Sequence, residues 1–256
     1  VRRLPDLLLS ALGGCRPVRG LALCLWLAVP AMAIGAPPTP TTTPSAAENI
    51  EPRVAACIAC HGREGASGNA AFFPRLAGKP AGYLYNQLLS FRDGRRFNAD
   101  MAHLVQHLSD DYLREMADYF AGLDLPYPQP AAASDASADV LARGRALALQ
   151  GDATRGIPAC TQCHGATLTG VLPGIPPLVG LPRLYLSSQL GAWLTDERHA
   201  LAPDCMATVG RKLTSADINA VASWLGLQPV PDRAKPLAAL PGPLPMPCSA
   251  MPAASK

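Results

Sequence analysis

Aromatic residues are scarce in this sequence: Phe, Trp and Tyr make up 5% of its 256 residues. That is thin for two hydrophobic cores and leaves volume for large buried apolar groups, as structural ligands supply in other small domains. An excess of charge of one sign is lacking too. The formal charge of +3 resides in the first 36 residues, which carry four of the 22 Lys+Arg and one of the 19 Asp+Glu and leave 18 of each. Such a balance gives no reason to expect a nucleic acid or an anionic membrane as partner. A membrane-length apolar run is missing as well: Leu21 to Ile34 has 14 residues, where a span needs about 20. Nor does any stretch alternate apolar and polar residues well enough for a substantial sheet.

What is present sorts into an export segment, two repeats and flexible pieces. Arg2, Arg3, Arg16 and Arg19 precede the apolar run and Ala31-Met32-Ala33 follows within it, which predicts a signal peptide over residues 1–36. A retained N-terminal anchor is the competing reading. Residues 37–50 read as a Pro/Thr-rich tether. A first domain is expected over 51–125, a Pro/Ala/Ser linker over 126–138 and a second domain over 139–228. The tail, 229–256, contains eight prolines and cannot hold regular structure for long.

The chemistry is in two copies of one motif, Cys57-Ile58-Ala59-Cys60-His61 and Cys160-Thr161-Gln162-Cys163-His164, 103 residues apart. C-x-x-C-H is the attachment pattern of c-type haem: two thiols one helical turn apart add to the vinyl groups, and the adjacent histidine reaches the iron. Two Cys pairs could instead form a four-cysteine zinc site or two dithiol redox motifs. The histidine beside both pairs and the export signal favour two haem c groups, with Cys57, Cys60, Cys160 and Cys163 attaching them and His61 and His164 on the iron. Met101 and Met206 occupy equivalent loops, 40 and 42 residues after those histidines, and are the candidate distal ligands; His103, His107 and His199 lack repeat counterparts. Pro74 and Pro176, 13 and 12 residues after the histidines, could accept the imidazole N–H through their carbonyls.

The repeats match further. Tyr83, Leu84, Gln87 and Leu88 correspond to Tyr185, Leu186, Gln189 and Leu190 at an offset of 102, which indicates duplication. Helices are predicted over 52–60 and 139–150, each ending in or just before a Cys pair, over 80–92 and 182–194, and over 109–121 and 214–225. In the last two, Ser109 and Thr214 serve as caps. Arg92, Arg95 and Arg96 form a basic turn without an equivalent in the second repeat.

On these residues the chain resembles the cytochrome c4 family of dihaem, two-domain c-type cytochromes. The telling strings are Phe73-Pro74-Arg75-Leu76-Ala77-Gly78, Phe91-Arg92-Asp93-Gly94-Arg95-Arg96 and Gly156-Ile157-Pro158-Ala159-Cys160. The resemblance implies an all-α fold of two tandem class I cytochrome c domains, His/Met ligation and periplasmic electron transfer, commonly towards a terminal oxidase. A non-enzymatic carrier is expected, taking electrons from a quinol-oxidising complex or dehydrogenase and passing them to a terminal oxidase or another cytochrome. Membrane association would come only through partners or an uncleaved signal. A cytochrome subunit of a periplasmic dehydrogenase complex is the alternative, and a dihaem peroxidase a remote one. Cys205 and Cys248 remain over in an exported chain, so a disulfide between them is expected, tying the tail to the Met206 loop.

Overall fold

Local sequence sets most helix boundaries in the computed structural model, which describes residues 50–67, 73–130, 133–231 and 234–251. The predicted signal peptide and nearly all of the predicted tether lie outside the described residues. Nine α-helices occur among those described: α1 (Ile50–His61), α2 (Ala81–Arg92), α3 (Ala99–Val105), α4 (Asp110–Gly122), α5 (Ala138–Leu149), α6 (Cys160–His164), α7 (Arg183–Leu194), α8 (Cys205–Gly210) and α9 (Ser215–Leu225). Pairing in the described residues is limited to isolated bridges, among them Arg96 with Arg198, and no sheet forms. No described helix is long and apolar enough to cross a membrane.

Capping explains the starts. Ser109 Oγ accepts from Tyr112 N at 3.2 Å and opens α4. Thr214 Oγ1 accepts from Asp217 N at 3.1 Å while Asp217 Oδ2 accepts from Thr214 N at 3.0 Å, a reciprocal box that opens α9. The apolar spacing on α4 buries Leu113, Met116, Ala117 and Phe120, and that on α9 buries Ile218, Val221, Ala222 and Leu225.

The two repeats differ at their first helix. α1 runs through its Cys pair to His61, but α5 stops at Leu149 and the second pair sits on its own short helix, α6. The helix predicted over 139–150 is found, and the correction concerns its end, which stops well short of the Cys pair instead of running up to it. Gly151 and Gly156 adopt positive φ (76° and 62°) and Asp152 caps a 3-10 turn between them, so the chain reverses before Cys160. α5 instead lies against α9, where Gly144 meets the backbone of Ala220. Met101 and Met206 are likewise corrected from loops to short helices: α3, capped by Asn98, and α8, capped by Asp204.

The linker is held. Arg75 donates to the carbonyls of Ala77, Leu125 and Pro126 at 3.0, 2.5 and 2.9 Å and lies over the Tyr127 ring at 4.3 Å. A Cβ at Gly180 would stand 2.4 Å from that same ring. Tyr127 thus fits against both repeats. The tail, for its part, runs along the second repeat: Leu237 N donates to Gly170 O at 2.9 Å and Leu172 N to Leu237 O at 2.8 Å.

Candidate haem sites

In each repeat the histidine of the motif ends a helix and turns inward. His61 Nδ1 donates to the Pro74 carbonyl at 2.8 Å, and His164 Nδ1 to the Pro176 carbonyl at 2.7 Å. A carbonyl can only accept, so the proton sits on Nδ1 and the Nε2 lone pair is left for a metal. Burial holds both imidazoles below the ordinary histidine range, against the opposing pull of those carbonyls. They are neutral, the form that binds iron.

The second site is an apolar cleft with a void of about 1610 Å³ including its open mouth. Cys160, Cys163, His164 and Met206 all line it, as do Pro176, Leu186 and Trp193. In the first repeat Cys57 packs with Val54, Leu84, Met116 and Phe120, and Met101 packs with Phe91, Val105 and Leu113; the two groups meet at Tyr85 and Leu88. Residues 68–72, between His61 and Pro74, lie outside the described residues. Burial pushes the Cys57 thiol up and the Cys160 thiol up to about 11, which keeps both protonated rather than as metal-binding thiolates. Among the described residues no three His, Cys, Asp or Glu side chains converge as a metal site, so the two Cys pairs do not share a zinc. His103 and His107 are exposed, and His199 lies 3.8 Å from Asp196 at the surface.

Between the two sites lies a cluster that sequence reasoning located only in part. Arg96 and Arg198, 9% and 3% exposed, form an antiparallel bridge. Arg96 donates to Gln87, Gln189 and the Tyr185 hydroxyl at 3.1, 2.5 and 3.2 Å; Arg198 donates to Gln189 and Gln87 at 2.6 and 2.7 Å. Lys79, 3% exposed, has its Nζ 5.8 Å from the centroids of both the Tyr83 and the Tyr185 rings. Arg198 was missed, though it stands 102 residues after Arg96, the offset of the Tyr and Gln pairs. The basic turn is absent from the second repeat, but its buried arginine is retained.

Among the described residues no carboxylate appears as a hydrogen-bond partner of these cations, and buried charges ordinarily find a counter-charge. Burial alone would raise the Tyr83 phenol, yet Arg198, Lys79 and Arg96 outweigh it and bring it down to about 7. The Trp193 indole N–H, on a ring that lines the cleft, is buried without an acceptor among the described residues. Lys79, Tyr83, Gln87, Gln189 and Arg198 line that cleft as well. A flat apolar macrocycle bearing carboxylates suits these features: it fills the cleft, balances the cations and accepts from the indole.

Similarity to known proteins agrees with that chemistry. Residues 53–120 match the family model described as cytochrome C oxidase, cbb3-type, subunit III. The cytochrome c4 of Pseudomonas aeruginosa is 35% identical over 179 residues, 68% of this chain and 84% of that protein. The chain belongs to the cytochrome c4 family. Another relative, the thiosulfate dehydrogenase electron acceptor of Thiomonas intermedia, is 41% identical over 182 residues, covering 70% of this chain and 81% of that protein. Among solved structures, the cytochrome c4 of Pseudomonas stutzeri superposes with a TM-score of 0.58 at 32% identity, covering 68% of this chain and 94% of that one. The thiosulfate dehydrogenase (TsdBA) of Marichromatium purpuratum gives a TM-score of 0.60 at 34% identity, and there the match spans only 36% of the longer chain. Cytochrome c4 membership makes the fold two tandem class I cytochrome c domains and the cofactors two covalent haem c groups. It also makes the protein an electron carrier, not itself a catalyst.

Proposed function

We infer that the protein is a periplasmic carrier of single electrons with a first domain over 51–125 and a second over 139–228. Cys57 and Cys60, and Cys160 and Cys163, would attach the two haems, and His61 with Met101, and His164 with Met206, would hold the iron. Haem c supplies a ferric/ferrous couple that takes one electron at a time. The chain's own residues set its working conditions. Pro74 and Pro176 fix the imidazole rings, and thioether sulfur from Met101 and Met206 would favour the reduced state. Arg96, Arg198 and Lys79 would hold haem carboxylates where the repeats meet. The single observation that carries the reading is this interface: equivalent residues of both repeats build one buried cationic cluster, which joins two sites of like construction.

The donor is proposed to be a dehydrogenase acting on a reduced sulfur compound, because a relative 41% identical is named as the electron acceptor of thiosulfate dehydrogenase. The acceptor would be a terminal oxidase or another cytochrome. Mixing the oxidised holoprotein with a thiosulfate dehydrogenase and thiosulfate tests this. Appearance of reduced haem bands within the enzyme's turnover time is expected. Bands that stay oxidised there, yet appear with a small-molecule reductant, would remove the donor assignment while leaving the carrier.

A further inference from the structure

The tail has no counterpart in the first repeat, and its path is specific. Leu237 is hydrogen-bonded on both sides to the segment after the second motif, at Gly170 and Leu172. A Cβ at Gly165, the residue next to His164, would lie 2.8 Å from Leu237 Cδ1. Further along, Ala250 O sits where a Cβ of Gly174 would be, at 2.2 Å, and Ser249 N donates to Pro203 O at 2.9 Å. Cys248 is joined to Cys205, the residue before Met206. The tail therefore bridges the loop beside His164 and the helix bearing Met206, and Met246, Cys248, Ser249 and Ala250 form part of the cleft wall.

The matched positions of the repeats also differ in exposure. Phe73 precedes Pro74 and is 41% exposed, whereas Ile175 precedes Pro176 and is 4% exposed. Cys60 is exposed, and its equivalent Cys163 is half-buried. A proline-rich segment suits such a covering role. Its φ angles are preset, so less chain entropy is lost on docking, and its missing N–H groups leave fewer donors to satisfy.

We propose that residues 237–251 are a strap that closes the exposed edge of the second haem, so that electrons exchange with soluble partners through the first repeat. The proposal rests on the two-haem reading above. A partner, a redox protein or small outer-sphere reagent, gives one electron to ferric iron in the first repeat. That electron would then pass across the Arg96–Arg198 interface to the second iron, which is reduced by one charge as the first returns to ferric; the partner is oxidised by one charge and no proton moves.

The test compares oxidised full-length holoprotein with two variants, Cys205→Ser/Cys248→Ser, which unties the strap, and Gly174→Ala, which pushes Ala250 away without touching the sulfurs. Reduction by excess hexaammineruthenium(II) is followed by stopped flow, and midpoint potentials are measured separately. Opening a second edge of similar size should raise the bimolecular rate constant about twofold, since target area scales encounter. Water reaching that edge favours the more highly charged ferric form, so one midpoint potential should fall and the other hold. A rate constant and potentials unchanged in both variants would overturn the strap. A haem count from the alkaline pyridine spectrum separates the two failures. One haem per chain removes the two-haem reading and the strap with it; two haems with unchanged kinetics and potentials remove the strap alone.

Discussion

Two glycines inside helices give opposite expectations for one substitution. At Gly144 in α5 a Cβ would lie 2.1 Å from Ala220 O, 2.6 Å from Ala220 C and 2.9 Å from Trp224 Cβ. Ordinary contact is about 3.5 Å, so α5 and α9 must part by roughly 1 Å or more. The obstacle is helical backbone, not a side chain that can rotate. Gly144→Ala gains about 1 kcal/mol of helix propensity and loses about 3 kcal/mol to overpacking of the neighbouring Leu147, Val221 and Leu225. The net loss of about 2 kcal/mol corresponds to roughly 6 °C in Tm for a chain of this size. Gly191 in α7 has nothing within 4 Å of its would-be Cβ. Gly191→Ala should therefore gain up to about 1 kcal/mol, or roughly 3 °C. Thermal unfolding of both holoproteins followed by far-UV dichroism reads the pair. A Gly144→Ala variant as stable as the parent, or more so, would refute the close crossing of α5 and α9.

Asp217 is buried and receives Arg143 and Arg155 at 3.0 and 2.7 Å; burial would raise its carboxyl, but Arg155 and Thr214 outweigh that and hold it well below the usual range. Its folded value lies below its unfolded one, so its contribution is complete above about pH 4 and fades as pH falls through the folded value. Asp217→Asn should cost about 2 kcal/mol at neutral pH by urea titration, with a smaller difference from the parent in acid; a constant difference would contradict the ion pairs. Arg198→Met removes a buried cation and two hydrogen bonds to the Gln side chains. It should cost about 1–2 kcal/mol and lower at least one midpoint potential, while the exposed Arg145→Gln leaves both unchanged. Equal potentials in all three proteins would argue against a carboxylate-binding role for the cluster.

Helix positions were legible because local signals sufficed: Ser109 and Thr214 act as caps, and the 3, 4, 7 spacing on α4 and α9 buries the expected faces. The all-α class and the duplication could be read for the same reason. The break between α5 and the second Cys pair was less legible, since its cause is two glycines at positive φ and a close approach of α5 to α9. Arg198 was hidden by the loss of the glycine turn around it, although its offset from Arg96 carried the signal. The tail gave no periodicity at all. Its contacts at Gly165, Gly170 and Gly174 depend on backbone packing that composition does not encode.

The central claim is that two equivalent His/Met haem sites meet across one cationic interface. Potentiometric titration of the full-length holoprotein, followed at the ferric sulfur–iron charge-transfer band, tests it most directly. Two one-electron waves, both at high potential and each accompanied by loss of part of that band, are predicted. A single wave accounting for one haem, or a low-potential wave that leaves the band untouched, would contradict it.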